Sequence, residues 1–171
     1  MLQEKTPDFS LKRLCQNPWG INQYKSFKRL LNKTQSILYL LDNMGEADFD
    51  KLVIESLRAQ GKEVTCVVRQ KPVLNDVVLE DAQNIGLDKL GPIINPGVWA
   101  IGLPLHLAST DFKRRFRQAD LVISKGQANF ETLEGVKKDG LFFLFVVKCQ
   151  MVARHLGVKL GSSILMQNRG G

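Results

Sequence analysis

Cysteine and histidine are scarce in this sequence, which has three cysteines and two histidines among its 171 residues. The thiols of Cys15, Cys66 and Cys149 form no CxxC pair, and neither His106 nor His155 stands at zinc-ligand or catalytic-triad spacing from a partner. An odd number of cysteines excludes a fully paired disulfide framework. We therefore predict reduced thiols, with Cys66 and Cys149 in the core, and regard both histidines as weak candidates for catalysis.

Long apolar runs are also missing. No run approaches the roughly 18 residues that a membrane-spanning helix needs, and the longest lies around residues 141–147. Residues 1–10 lack the continuous apolar segment of a secretion signal. With 44% hydrophobic and 24% charged residues, the composition is typical of a folded globular chain. The sequence thus predicts a cytoplasmic protein that does not enter a membrane.

Acidic residues are outnumbered by basic ones, 17 to 24, which gives a formal net charge of +7. Such a charge favours anionic partners, including nucleic acids, acidic surfaces and small anionic substrates. The densest basic cluster occupies residues 113–117, where Phe112 and Phe116 recur at helical spacing. Because no nucleic-acid-binding motif accompanies this cluster, we interpret it as the solvated face of a helix. Nucleic-acid binding is therefore the last-ranked alternative.

Five apolar segments have the continuous, β-branched pattern of strands that are covered on both faces. They occupy residues 36–41, 64–68, 92–95, 121–124 and 141–147, and a short sixth segment follows at 164–166. Segments of helical period alternate with the strands. This alternation predicts an α/β fold, namely a three-layer α/β/α, Rossmann-like open sheet, mostly parallel, with about five to six strands.

The sequence changes character near residue 35. Residues 1–35 contain one predicted helix, at residues 22–31, and are otherwise of mixed polar composition. We predict that they form a helical lead-in and that residues 36–171 form the α/β domain.

Polar residues follow the first predicted strand. Asp42 and Asn43 come directly after its last leucine, just before a glycine at the start of a predicted helix. In open parallel sheets, ligands bind outside the carboxyl ends of the strands, and adjacent carboxylate and amide oxygens suit Mg²⁺ or Mn²⁺. A helix cap explains the pair equally well, since Asp and Asn are common N-caps.

A second Asn-Asp pair, Asn75 and Asp76, follows the second predicted strand. A carboxylate at a neighbouring strand end favours a metal site, because the carboxyl ends of parallel strands meet at one edge of the sheet. The alternative is again capping, with Asn75 or Asp76 as the N-cap and Glu80 and Asp81 in the first helical turn. Both interpretations hold if one residue of the pair caps the helix and the other faces the crevice.

Two lysines end the later strands. Lys125 and Gly126 precede a predicted helix that contains Gln127 and Asn129. Free N–H groups at a helix start, with a lysine and an amide nearby, favour phosphate binding, although an ordinary turn with Lys125 in solvent is the alternative. Lys148 ends the most apolar strand, where burying an ammonium is costly, so we expect its side chain to reach the crevice.

Together, these residues resemble the damage-control phosphatase family, a group of metal-dependent phosphatases formerly catalogued as a domain of unknown function. The matching stretches keep the family's order and spacing, closest to its prokaryotic branch. They are ILYLLDNMGEADFDKLVIE at 37–55, PVLNDVVLEDAQNIGL at 72–87, ADLVISKGQANFETL at 119–133 and VVKCQMVARHLGV at 146–158.

The resemblance implies a Rossmann-like enzyme that hydrolyses phosphate monoesters of small metabolites, such as sugar phosphates or damaged phosphometabolites. It implies a divalent cofactor, which is manganese, nickel, cobalt or magnesium. The metal ligands of the family fall on Asp42, Asn43 and Asp76. Asp42 is then also a catalytic residue, either as a ligand of the metal that orients an attacking water or as the nucleophile itself.

The resemblance also implies the residues that bind the phosphorylated substrate. The substrate-binding loop of the family falls on residues 125–131, with Lys125, Gly126, Gln127 and Asn129 as the expected contacts. The lysine on the phosphate side falls on Lys148, which is the second expected catalytic residue.

The sequence departs from the family pattern in places. Met44 stands where a small residue is usual, and Gln70 and Lys71 replace glycines expected before Pro72. Family members carry a helical domain before the α/β part, where this sequence has only the lead-in. The alternatives are therefore a non-catalytic domain that binds a phosphometabolite or a nucleotide, or a truncated inactive form. Pairing of two chains over the crevice is left open.

Overall fold

The computed structural model describes residues 18–170, which form a seven-stranded sheet with helices on both faces. The strands are β1 (Trp19–Asn22), β2 (Ser36–Leu40), β3 (Glu63–Val67), β4 (Ile93–Ile94), β5 (Leu121–Lys125), β6 (Leu141–Val146) and β7 (Ser163–Gln167). The helices are α1 (Tyr24–Lys33), α2 (Met44–Ala59), α3 (Leu79–Asn84), α4 (Thr110–Gln118), α5 (Gln127–Leu133) and α6 (Gln150–Leu156). The predicted three-layer α/β/α architecture is confirmed, and the described residues form seven strands where about five to six were predicted. No helix in this part of the chain has the length and apolar character needed to cross a membrane.

The strand order is β1-β7-β6-β5-β2-β3-β4. The strands from β6 to β4 in this order are parallel, whereas β7 is antiparallel to β6. From β2 the chain passes to β3 and β4 on one side and then returns to β5 on the other side. The order therefore reverses between β2 and β5. Ligands of open α/β sheets bind at such a reversal, outside the carboxyl ends of the strands.

Each face of the sheet has its own core, because successive side chains of a strand point to opposite faces. Leu38 and Leu40 pack in the cluster that includes residues of α4, α5 and α6. Ile37 and Tyr39 pack in the cluster that includes residues of α1, α2 and α3. Coverage on both faces explains why the predicted strands are continuously apolar rather than alternating.

The first strand is not marked in the sequence. The helix predicted at residues 22–31 begins at Tyr24 instead, and β1 precedes it and pairs in parallel with β7. β1 is mostly exposed and contains Gly20, so no buried face produces a recognisable pattern. Part of the predicted lead-in is thus a strand of the sheet. The earlier part, with Cys15, lies outside the described residues.

The two described cysteines differ in their surroundings. Cys66 is buried in β3, as predicted, and burial followed by the nearby Asp50 raises the pKa of its thiol to about 12. Cys149 is only partly buried, and its sulfur accepts a hydrogen bond from Met151 N at 3.3 Å at the start of α6. The prediction of a core position is therefore confirmed for Cys66 and only in part for Cys149.

A carboxylate connects the amino ends of β2 and β5. Asp120 Oδ2 accepts hydrogen bonds from Ser36 N at 2.8 Å, Gln35 N at 3.0 Å and Ser36 Oγ at 2.9 Å. These bonds, with that of the Ser36 amide the strongest, hold the pKa of Asp120 below its ordinary value. The ionised form of Asp120 is therefore the one that stabilises the fold.

We expect Asp120→Ala to lower the free energy of unfolding by about 1 kcal/mol at pH 7, a small value because the side chain is exposed to solvent. A depressed carboxyl pKa contributes stability above the unfolded pKa of about 4, and this contribution is lost as the pH falls through the folded pKa. Urea unfolding at pH 7 and pH 3 measures the difference, with Asp139→Ala as an exposed control. A difference from wild type that is as large at pH 3 as at pH 7 would contradict this role.

Candidate functional site

The segments that follow β2 and β3 meet at the carboxyl edge of the sheet. Asn43 and Asp76 form an isolated antiparallel bridge, and Val77 N donates a hydrogen bond to Asp42 O at 2.9 Å. These backbone contacts bring the three predicted metal ligands, Asp42, Asn43 and Asp76, to one place beside the reversal in strand order.

These side chains do not cap helices. Asn43 is the N-cap residue of α2, but its side chain makes no capping hydrogen bond. α3 begins at Leu79, and its N-cap residue is Val78, whose N–H donates to Asp81 Oδ2 at 3.1 Å. The capping alternative is therefore wrong for the second Asn-Asp pair, which lies before the N-cap. The Asp76 carboxylate is free of a capping role.

The Asp42 carboxylate lies near two other carboxylates, those of Asp76 and Glu46. The side chain of Asp42 is buried, at 7% exposure. Burial, followed by the neighbouring Asp76 and Glu46 carboxylates, raises the pKa of Asp42 to about 6, and Lys148 and Arg69 offset only part of this rise. Ionised Asp42 is thus destabilised by its surroundings, and a cation bound at its carboxylate would relieve the repulsion.

Gly126 packs directly against Asp42. It has φ +82° and ψ 150°, a conformation that only glycine adopts readily. A Cβ atom at this position would overlap Asp42 Cγ and both carboxylate oxygens. Gly126 N donates to Leu144 O at 3.1 Å, which fixes the turn after β5. Gly126 and the Asp42 carboxylate therefore form a direct contact between the carboxyl ends of β5 and β2.

Lys125 is held by two carboxylates of α2. Its Nζ donates to Asp50 Oδ1 at 2.7 Å and to Glu46 Oε2 at 3.1 Å, and Tyr39 Oη donates to the same Asp50 oxygen at 2.6 Å. Burial lowers the pKa of Lys125, but Asp50 and Glu46 outweigh it and the net shift is upward. The ammonium is therefore charged and already paired, so the alternative of Lys125 in solvent is wrong.

Glu46 and Asp50 were not among the site residues predicted from the sequence. A signal exists for Asp50, because the buried residues of α2 are Ala47, Asp50, Ile54 and Leu57. Their spacing of three and four places a carboxylate on the apolar face of a helix. A buried carboxylate requires a charged or hydrogen-bonding partner, and here the partner is the strand-end lysine across the crevice wall.

The two predicted amide contacts, Gln127 and Asn129, are engaged with protein groups. Asn129 is 1% exposed, and its Nδ2 donates to Lys125 O at 2.8 Å. Gln127 Oε1 accepts from Lys148 N at 2.8 Å, and its Nε2 donates to Glu131 Oε1 at 2.8 Å. Both amides hold neighbouring turns in position, and their contact with a substrate stays a prediction.

A cavity of about 710 Å³ opens beside these residues. Its lining includes Asp42, Lys125, Gly126 and Lys148 on the polar side and Trp19 and Phe49 on the apolar side. Lys148 is exposed, and no hydrogen bond or ion pair of its Nζ is found among residues 18–170. Of the two strand-end lysines, Lys148 is the one with an ammonium available to a ligand.

The donor set is compatible with a hard divalent cation. Within residues 18–170 no three His, Cys, Asp or Glu side chains converge as a metal centre, so the candidate set is two carboxylates and an amide. Asn43 Nδ2 donates to Asp42 Oδ2 at 3.0 Å, which leaves its Oδ1 as an oxygen donor. Such oxygens, completed by water or substrate, suit Mg²⁺ or Mn²⁺.

Several known proteins are similar to this chain. The family described as damage-control phosphatase ARMT1-like domain matches residues 2–164. A damage-control phosphatase of Pyrococcus horikoshii is 37% identical over 160 residues, which cover 93% of this chain and 56% of the relative. A damage-control phosphatase of Archaeoglobus fulgidus is 33% identical over 165 residues, which cover 96% and 56%. The chain spans about half the length of the curated relatives it matches.

The fold is similar to that of a solved structure. The crystal structure of a DUF89 family protein from Pyrococcus horikoshii, at 2.04 Å resolution, superimposes with a TM-score of 0.87 at 37% sequence identity. The match covers 92% of this chain and 56% of that one. Sequence and fold thus lead to the same group of proteins.

Proposed function

The chain belongs to the damage-control phosphatase ARMT1-like domain family, and we propose that it hydrolyses phosphate monoesters of small metabolites with a divalent metal held by Asp42, Asn43 and Asp76. The proposed substrates are sugar phosphates or damaged phosphometabolites, and the proposed metal is manganese, nickel, cobalt or magnesium. The observation that carries the proposal is the position of Asp42. It is a buried carboxylate at the reversal in strand order, in contact with Gly126 and beside a cavity that Lys148 also lines.

The chemistry required is displacement at phosphorus. A water oxygen bonds to phosphorus while the bond from phosphorus to the ester oxygen breaks, the water loses one proton, and the leaving alkoxide gains one. When bound, the metal supplies Lewis-acid polarisation of the phosphoryl group. Lys148 Nζ compensates the negative charge of the phosphoryl oxygens, and the walls around Asp42 limit access of bulk water.

Lys125 has a different part in this proposal from Lys148. Its ammonium is already bound by Asp50 and Glu46, so its positive charge is largely compensated before a phosphate arrives. We assign Lys125 to the wall of the crevice, where it keeps the Glu46 and Asp50 carboxylates from repelling an anionic substrate. Lys148 is then the principal cation for the phosphoryl group.

The alternative route uses Asp42 as the nucleophile. Its carboxylate oxygen bonds to phosphorus while the bond from phosphorus to the ester oxygen breaks, and water then hydrolyses the aspartyl-phosphate to release phosphate and the free carboxylate. Acid quenching during turnover, followed by mass spectrometry of the peptide that contains Asp42, separates the two routes. A phosphorylated peptide supports direct attack. Its absence under conditions of rapid turnover supports attack by water.

Release of inorganic phosphate tests the function. The purified chain is assayed with p-nitrophenyl phosphate and a panel of sugar phosphates in the presence of Mn²⁺, Co²⁺, Ni²⁺ or Mg²⁺, and again with excess chelator. We expect release that depends on the metal and stops in chelator. Undiminished release in chelator would contradict the metal-dependent mechanism. Binding of these esters without any release would instead favour the non-catalytic binding domain.

We expect Lys148→Ala to lower kcat/KM for phosphate release by about 10- to 100-fold, since it removes the cation that faces the phosphoryl oxygens. Lys159→Ala, at an exposed lysine beyond α6, is the matched control and should retain wild-type activity. Steady-state kinetics with one sugar phosphate and saturating Mn²⁺ make the comparison. Equal activity of the two variants would remove Lys148 from the proposed machinery.

A further inference from the structure

Arg69 is a buried arginine just after β3, with 5% exposure. Each of its three guanidinium nitrogens donates to a different segment of the chain. Nε donates to Asp76 Oδ2 at 2.6 Å, Nη1 to Gly102 O at 2.5 Å and Nη2 to Asn129 Oδ1 at 3.0 Å. A lysine cannot replace this planar fork, because its ammonium is a single point of attachment.

The three contacts of Arg69 cross the reversal in strand order. Asp76 follows β3 and Gly102 follows β4, whereas Asn129 lies in α5 after β5. β2 separates β3 from β5 in the sheet. One side chain therefore connects segments on both sides of β2, the strand that precedes Asp42.

This connection reaches Asp42 from two directions. On one side, Asp76 forms the backbone bridge with Asn43, the residue next to Asp42. On the other side, Asn129 Nδ2 donates to Lys125 O at 2.8 Å, and the following residue, Gly126, packs against the Asp42 carboxylate. The position of Asp76 relative to Asp42 thus depends on the guanidinium between these segments.

We propose that Arg69 is a positioning residue of the metal site, which fixes the Asp76 carboxylate through Oδ2 and leaves Oδ1 as the donor to the metal. No hydrogen bond to Asp76 Oδ1 is found among residues 18–170. This role rests on the proposed function. Hydrogen bonds that orient a ligating side chain commonly change metal affinity by about 10- to 100-fold when they are removed.

Stability alone does not distinguish this role from simple support of the fold. Removing one partner of a buried ion pair destabilises a protein whatever the pair does. The affinity of the folded protein for a metal is the discriminating quantity, because a residue that only supports the fold leaves it unchanged at temperatures where the variant is folded.

The test is a titration with Mn²⁺ followed by electron paramagnetic resonance, on the metal-free chain and its variants, at a temperature where circular dichroism shows each of them folded. We expect Arg69→Lys to weaken Mn²⁺ binding by about 10- to 100-fold. Arg115→Lys, an exposed arginine of α4, is the matched control and should bind as wild type. Asn129→Ala keeps the pair with Asp76 but cuts the link to α5, and we expect about 10-fold weaker binding.

The outcomes separate this role from the proposed function. Wild-type Mn²⁺ affinity in a folded Arg69→Lys chain would overturn the positioning role and leave the proposed metal site intact. A wild-type chain that binds no Mn²⁺ would overturn the metal site and the role of Arg69 together. If Arg69→Lys does not fold, Asn129→Ala decides, and wild-type affinity in that variant overturns the proposal.

Discussion

Gly126→Ala is expected to reduce phosphate release by at least about 100-fold, because displacement of a catalytic group by 1 Å already costs that much. The new Cβ would overlap the Asp42 carboxylate, so either Asp42 leaves its position or the turn after β5 moves away. The backbone resists the second change, since alanine strongly disfavours φ +82° with ψ 150°. The measurement is kcat/KM for a sugar phosphate with saturating Mn²⁺, together with the Mn²⁺ dissociation constant.

Gly157→Ala is the matched control for this substitution. Gly157 also has a positive φ, +67°, but a Cβ there meets no atom of the described residues within 4 Å. It ends α6 as a left-handed cap, so we expect a loss of about 1 kcal/mol of stability without loss of activity. Wild-type activity and Mn²⁺ affinity in Gly126→Ala would contradict the expected displacement of Asp42 from its position in the site.

The central part of the fold is predictable from the sequence because both faces of the sheet are covered. β2, β5 and β6 are continuous apolar runs, and their boundaries agree with the structure to within one residue. β4 is shorter than predicted and consists of Ile93–Ile94, which pairs with β3 at the edge of the sheet formed by the described residues. β1 is unpredictable in physical terms, because its pairing with β7 joins segments more than 140 residues apart and leaves little of it buried.

The location of the candidate site follows from a rule that needs no structure. Polar residues that follow apolar parallel strands meet at one edge of the sheet. This rule identified Asp42, Asp76, Lys125 and Lys148 as candidate site residues from the sequence. The structure places all four at that edge. Their roles in binding and catalysis stay predictions until they are tested.

The ion-pair partners of these residues could not be predicted from the pattern of strands. Lys125 is paired by Asp50, a residue in the middle of a helix, and Asp76 is held by Arg69, which looks in the sequence like an ordinary strand end. Pairing across elements depends on helix rotation and loop path, which local patterns do not encode. The pattern of α2 does place one charged residue, Asp50, on the buried face of the helix. It does not predict which residue pairs with Asp50.

Asp42→Asn is expected to have opposite effects on activity and on stability. The side chains have nearly the same shape, so the contact with Gly126 is kept. Loss of the carboxylate removes a proposed metal ligand, and we expect phosphate release to fall about 1000-fold or more. In chelator at pH 8, however, we expect the variant to be more stable than wild type by about 2–3 kcal/mol. The reason is that a carboxyl with a pKa of about 6 instead of 3.8 is ionised in the folded state at a cost of about 1.4 kcal/mol per unit.

The sign of this stability difference can be checked by pH and by metal. A raised carboxyl pKa destabilises the fold above the folded pKa, so the advantage of Asp42→Asn should shrink as the pH falls from 6 towards 4. Mn²⁺ should stabilise wild type and not the variant, since a ligand that binds only the folded state raises its stability. Urea unfolding at pH 8 and pH 4, with and without Mn²⁺, measures both effects, and Asp48→Asn on the exposed face of α2 is the control.

A variant that is less stable than wild type in chelator at pH 8 would mean that Asp42 supports the fold. A variant that is more stable but inactive would mean that the protein keeps a destabilising carboxylate for the sake of its site.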